Sequence, residues 1–204
     1  MQKKPLVIAQ RGWSAKYPEN TLAAIRGAIR LGVDMVEIDV QQTRDGELVV
    51  FHDYRLNRIY GVRKRVRDTL RREMPGAPTL AEVLRLNVPL LIEIKGADPS
   101  KVAPLIQHRK DVIVFSIRTS KTRCMPPGIC RFGLYAWKIA FPRGVVGLGL
   151  SRRLVTSAPV VRRIHRRGLK LFVWTVNRSE EMRRLSDWGV DGLITNHPDR
   201  ALQL

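Results

Sequence analysis

A small, trimmed (β/α)8 barrel of the TIM type is the α/β fold class this sequence predicts, and three observations carry it. Short apolar runs alternate with segments of helical period, the signature of repeated βα units. Eight such runs fit into 204 residues, somewhat fewer residues than the roughly 250 that such barrels commonly use. No Gly-rich phosphate loop follows the first run, whereas an open doubly wound sheet usually carries one there. One domain over residues 1–204 is therefore expected.

The predicted strands are, in order, PLVIAQ, DMVEIDVQQ, ELVVFHD, VPLLIEIKG, DVIVFSI, GICRFGLYAW, KLFVWTVN and VDGLITN. GVVGLGLS is a ninth candidate, but its glycines argue for a loop or a weak strand. Between the second and third runs, TRDGEL carries an Asp-Gly turn and is too short for a crossover helix. The second βα unit is thus expected to lack its helix.

Three helices are well signalled. Asn20 or Thr21 can cap one whose Leu22, Ile25 and Ile29 share a face and which ends near Gly32. Ala158 to Arg167 is apolar at Val160, Val161 and Ile164 and ends before Gly168. Ser179 can cap a third, with Glu180 and Glu181 in its positive first turn, Met182 and Leu185 facing inward and Gly189 just past its end.

The composition is 44% hydrophobic with a formal net charge of +19, an ordinary core wrapped in a basic surface. Such a surface favours anionic partners: nucleic acid, an acidic membrane face or a phosphate-bearing substrate. The basic residues come as short clusters at Arg63 to Arg67, Arg71 and Arg72, Arg152 and Arg153, and Arg162 to Arg167, which read as solvated faces. No apolar run approaches the ~20 residues of a membrane span, and a strand starting at Leu6 leaves no room for a secretory signal. A cytoplasmic protein is expected, with Cys124 and Cys130 as free thiols or, less simply, a disulfide.

Charges on otherwise apolar strands are informative, because a buried charge costs several kcal/mol unless it is paired. Glu37 and Asp39 lie two apart and point to the same side of their strand, and Glu93 and Lys95 repeat the arrangement. Aimed into a barrel mouth, the three carboxylates form a hard oxygen site suited to Mg²⁺ or Ca²⁺. Lys95 beside them would hold a phosphate oxygen. His52, ending the third run, adds a titratable group; the plainer alternative is ion pairs at strand ends and a structural histidine.

QRGWSAKYPENT, VEIDVQQTRDGELVVFHD, PTLAEVL, LIEIKG, VWTVN and GVDGLITNHPD occur in an order and spacing that resembles the glycerophosphodiester phosphodiesterases, of the phospholipase-C-like superfamily. The likeness spans nearly the whole chain and is faintest from Ser120 to Arg153. It implies metal-dependent hydrolysis of a small-molecule glycerophosphodiester to glycerol phosphate and an alcohol. It also implies that Glu37, Asp39 and Glu93 hold one divalent cation, Mg²⁺ or Ca²⁺, and that Arg11 and Lys95 contact the phosphate. Two histidines share the proton transfers in the family. The second maps onto His52, and Gln10 stands where the first should be.

An amide can hydrogen-bond a phosphate or a nucleophile but cannot pass a proton on. Losing one positioned acid or base typically costs ~10²–10⁴-fold, which predicts a slow enzyme if metal and substrate still bind. His197, after the last strand and so near Gln10 in a closed barrel, is the candidate replacement proton donor; His108 and His165 read as surface residues. The resemblance suggests Trp174 as an apolar wall for the glycerol, with core packing as the alternative. Asp53 is expected to orient its neighbour, and Asn20 to serve a helix start. Two other functions remain open on sequence: a non-catalytic descendant that keeps the metal and phosphate contacts, and a basic protein that binds nucleic acid or a membrane surface. An aromatic content of 6% offers the latter few stacking platforms. No specific protein partner is indicated.

Overall fold

Parallel strands close on themselves through a pairing between the first two. The structure, a computed structural model, describes residues 4–116, 125, 130–135 and 143–204. Its strands are β1 (Leu6–Gln10), β2 (Met35–Gln42), β3 (Leu48–Val50), β4 (Leu90–Ile94) and β5 (Val112–Ser116), followed by β6 (Cys130–Tyr135), β7 (Gly147–Ser151), β8 (Lys170–Trp174) and β9 (Gly192–Thr195). Neighbours run β1-β9-β8-β7-β6-β5-β4-β2, and β1 pairs with β2 to complete an eight-stranded parallel barrel among the described residues.

Two of the sequence expectations change here. ELVVFHD is not a barrel strand: only Leu48–Val50 is extended, and it runs antiparallel to β2 with Val40 opposite Val50. The Asp-Gly turn that shortens the β2–β3 connection makes it a hairpin on the barrel's outside. GVVGLGLS, by contrast, supplies β7, bonded to β6 and β8. Its glycine is required by close packing. A Cβ on Gly147 would lie 2.4 Å from Phe132 Cζ, and one on Gly192 would lie 2.7 Å from Phe172 Cδ1. These glycines give the tilted rings of Phe132 and Phe172, with centroids 4.5 Å apart, their room in the barrel.

Between β2 and β4 the chain holds short helical pieces: α2 (Asn57–Tyr60), single turns at Val66–Asp68 and Arg71–Glu73, and α3 (Leu80–Leu84). No full-length crossover helix occupies this unit. In α1 (Leu22–Leu31), Thr21 Oγ1 accepts from the Ala24 amide and Gly32 ends the helix in the left-handed region. Its buried face is Ala24, Ile25, Gly27 and Ala28, so Ile29, expected inward, is 36% exposed. The remaining helices are α4 (Pro99–Ile106), α5 (Ala158–His165), α6 (Ser179–Asp187) and α7 (Pro198–Ala201). α5 ends two residues before the expected Arg167. Ser179 is the first residue of α6, not its cap; Arg178 holds that position without a side-chain bond. Among the described residues no helix is long and apolar enough to cross a membrane. Cys124 and the side chain of Cys130 lie outside the described residues.

Strand alternation sorts side chains into shells. Outward residues such as Ala9, Val36, Ile38 and Ile92 pack against α1, α3 and α4, and Leu148, Leu150 and Val173 meet α5 and α6. Inward residues Ile8, Met35, Leu91, Phe115, Phe132, Phe172 and Ile194 fill the barrel's interior as one apolar cluster. Two residues further along the same strands, that alternation brings Gln10, Glu37 and Glu93 to the carboxyl end.

Candidate active site

The register of three adjacent strands sets the acidic centre. Gln10 lies opposite Glu37 across β1 and β2, and Asp39 opposite Glu93 across β2 and β4. Glu37, Asp39 and Glu93 are buried or nearly so, and each brings a carboxylate oxygen within 4.8 Å of the others. Lys95 Nζ stands 3.5 Å from Asp39 Oδ1 and 3.7 Å from Glu93 Oε1. Burial, then the Asp39 charge, pushes the Glu93 carboxyl up to about 7, against the pull of Lys95. The same two effects raise Glu37 well above the carboxylate range, with Arg11 opposing them.

The centre is short of positive charge, and its donors fit a hard divalent cation. Asp39 Oδ1 is buried with no hydrogen-bond partner among the described residues. Three oxygen ligands from two strands are the chemistry that Mg²⁺ or Ca²⁺ takes. Such an ion would relieve the repulsion that raises both glutamates.

Arg11 follows β1 in the left-handed region, at φ 54°. Its amide donates to Glu37 Oε2 at 3.0 Å, Nε lies 3.2 Å from Asp39 Oδ2, and Nη1 donates to Glu19 Oε2 at 3.2 Å. The next residue must be glycine: a Cβ on Gly12 would sit 2.5 Å from the Ala24 backbone, where α1 crosses. Asn20, also at positive φ, is buried, and its Nδ2 donates to Asp39 Oδ2 at 2.9 Å. The capping falls to Thr21, and Asn20 is instead a site residue that the helix-start reading missed.

His52 Nδ1 meets Asp53 Oδ1 at 2.7 Å, and Arg58 Nε donates to Asp53 Oδ2 at 2.5 Å while its Nη2 reaches Glu19. One chain of contacts therefore runs from His52 through Asp53, Arg58, Glu19 and Arg11 to Asp39. Burial is the largest influence on His52 and holds it below the usual imidazole value, with Asp39 and the Asp53 bond opposing. Burial would raise Asp53, but hydrogen bonds from Arg58 and His52 outweigh it and hold the carboxyl low. The loop carrying His52 is fixed from below by buried Gln41, whose Nε2 faces the carbonyls of Phe51, His52 and Asp53 at 2.9, 3.2 and 2.6 Å. Gln41 and Arg58 carry no charge pattern in the sequence that announces these roles; the only signal for Gln41 is its period of two with Glu37 and Asp39.

A cavity of about 100 Å³ joins these groups. Gln10, Arg11, Glu37, His52, Glu93 and Lys95 line it together with the apolar Phe115, Trp174 and Ile194. Thr175 Oγ1 donates to Gln10 Oε1 at 2.8 Å. With its oxygen engaged, Gln10 has its amide NH₂ group to offer a ligand. Trp174 both packs against the interior cluster and walls the cavity. His197 does not line this cavity; it precedes α7, with its amide on Thr195 Oγ1. His165 pairs with Asp191 at 2.9 Å on the surface, and His108 is exposed beside Gln107.

Comparison with known proteins agrees with this geometry. Residues 11–124 and 135–200 match the glycerophosphoryl diester phosphodiesterase family. A glycerophosphodiester phosphodiesterase of Caldanaerobacter subterraneus is 30% identical over 240 aligned residues, covering 98% of each chain. The crystal structure of the Thermotoga maritima glycerophosphodiester phosphodiesterase superposes with a TM-score of 0.88 at 27% identity, over 100% of this chain and 99% of that one. A phosphodiesterase from Oleispira antarctica, solved in complex with the product sn-glycerol-3-phosphate, shares the fold at a TM-score of 0.85 and 24% identity, over 98% and 96% of the two chains.

Proposed function

This chain belongs to the glycerophosphoryl diester phosphodiesterase family and is a hydrolase of that kind, and we propose that it cleaves glycerophosphodiesters to glycerol phosphate and an alcohol with one proton-transfer group replaced by an amide. The observation that carries this reading is the cavity in which Gln10, His52, Lys95 and two carboxylates of the acidic triad meet an apolar wall. Glu37, Asp39 and Glu93 would hold one divalent cation, Mg²⁺ or Ca²⁺. When bound, that ion supplies positive charge at a phosphate oxygen.

The chain's own groups do the rest. Arg11 and Lys95 bind the remaining phosphate oxygens, and their ion pairs with Asp39 fix both cations before substrate arrives. Trp174, Phe115 and Ile194 orient the glycerol by its carbon face, so that its hydroxyl attacks phosphorus and expels the alcohol, after which water opens the resulting cyclic phosphate to glycerol phosphate. His52, held by Asp53 and neutral at physiological pH, accepts a proton in one step and returns it in another. Gln10 donates a hydrogen bond from its amide and transfers no proton. Arg11, Lys95 and Trp174, the residues read as binding substrate, are all present, and the expected loss falls on turnover.

The test is release of glycerol phosphate from glycerophosphocholine with Mg²⁺, with Ca²⁺ and with chelator, beside an Asp39→Ala blank. Activity that needs the metal and exceeds the blank supports the reading. Equal rates with and without chelator would remove the metal from it.

A further inference from the structure

We infer that this enzyme prefers glycerophosphodiesters whose alcohol carries a second negative charge, held by Arg65 and Arg67. A cavity of about 350 Å³ adjoins the catalytic one and shares Lys95 with it; Gln41, Gln42, Tyr54, Arg65, Arg67 and Gly96 complete its lining. Among the described residues that line it, three are cationic and none is a carboxylate. Arg65 has no ion pair among the described residues, and Arg67 reaches only Asp68, at 3.9 Å with both side chains largely exposed. So exposed a pair neutralises little.

The cavity on the other side of His52, about 340 Å³, provides the contrast. It is largely apolar, lined by Tyr17, Pro18, Phe51, Ile59 and Tyr60, and its one cation, Arg58, is already engaged by Glu19 and Asp53. Of these two cavities, among the described residues, the Arg65 side is the one whose guanidinium groups lack buried counter-charges. A diester whose phosphate rests on Lys95 places its alcohol next to these groups. A phosphomonoester or carboxylate on that alcohol would find two forked donors of the kind that recognise such anions. The flat face of Tyr54, 57% exposed and with Lys95 Nζ 5.9 Å from its centroid, would lie along the alcohol's ring or chain.

This inference rests on the phosphodiesterase reading, and the experiment separates the two. The ratio of kcat/KM for glycerophosphoinositol phosphate to that for glycerophosphocholine is measured in the wild type and in the Arg65→Ala/Arg67→Ala double variant. In parallel, binding of free inositol monophosphate is titrated with chelator present. The expected result is a wild-type ratio of about tenfold or more, from one or two charge-assisted hydrogen bonds, falling towards one in the double variant. General damage to the fold would lower both rates and leave the ratio intact. A wild-type ratio near one, or a ratio the double variant does not change, overturns the inference. If no diester is turned over, the catalytic reading fails and binding decides: weaker inositol monophosphate binding in the variant keeps the anion site, and equal or absent binding removes it.

Discussion

Two layers of the same barrel, two residues apart along the same strands, have opposite physical characters. The lower layer, Ile8, Met35, Leu91, Phe132 and Phe172, is apolar, and its aromatic rings fill the room left by glycines on neighbouring strands. The upper layer, Gln10, Glu37 and Glu93, crowds carboxylates until burial and mutual repulsion raise two of them. The lower layer stabilises the fold; the upper one opposes it and, on the proposed function, carries the chemistry. A strand's period of two lets one sequence write both, because each step of two residues stays on the same face.

That contrast is open to breakage, and the largest expected effect lies below. Phe172→Ala should destabilise the protein by roughly 3–5 kcal/mol, since Gly192 beside the ring has no side chain to fill the void. A denaturant titration reads this, and a loss under 1 kcal/mol would mean that the rings are not the interior's support. In the upper layer, Glu93→Gln should lower kcat/KM by roughly 10²–10³-fold while the metal-free protein melts at the same temperature or higher. A drop in melting temperature to match the lower-layer variant would erase the distinction.

Smaller effects sharpen it. Glu93 has its folded-state value raised to about 7, above an unfolded value near 4.5. Between the two, the folded state holds the proton more tightly, so metal-free stability falls as pH rises through this window. Metal must displace that proton, so the rise in melting temperature on adding Mg²⁺ or Ca²⁺ should grow over the same window. A pH-independent rise would place the ion elsewhere. For His52, whose value lies below 6.5, kcat/KM at saturating metal should hold at neutral pH and fall only on acidification below it. Asp53→Asn replaces the charged acceptor that raises His52 by a neutral one, so the acid limb should move to still lower pH and activity should drop about tenfold, the worth of one charge-assisted hydrogen bond. An acid limb that stays put would separate Asp53 from His52.

How much of this is legible in sequence follows from the same geometry. Glu37, Asp39, Glu93 and Lys95 are readable because charges on apolar strands need a reason, and period two gives their common direction. β7 is harder to read, since its glycines look like loop until Phe132 is seen lying on Gly147. β3 has strand composition, but only its antiparallel pairing places it outside the barrel. Asn20, Gln41 and Arg58 act across sequence separations of 19, up to 12 and 39 residues, on Asp39, on the His52 loop and on Glu19. Nothing local marks an amide or an arginine for such work. Phe115 is a core phenylalanine by every local measure, and only the barrel's curvature brings it to the cavity.

The most direct test of the account is kcat with a glycerophosphodiester for the wild type beside Gln10→His, both at saturating metal and measured above an Asp39→Ala blank. The wild type is expected to turn over slowly but clearly above the blank, and the histidine variant to be faster by roughly 10²-fold or more, as one restored proton transfer provides. If both proteins bind metal and both stay at the blank, the site at the top of this barrel is a binding site and not a catalytic one.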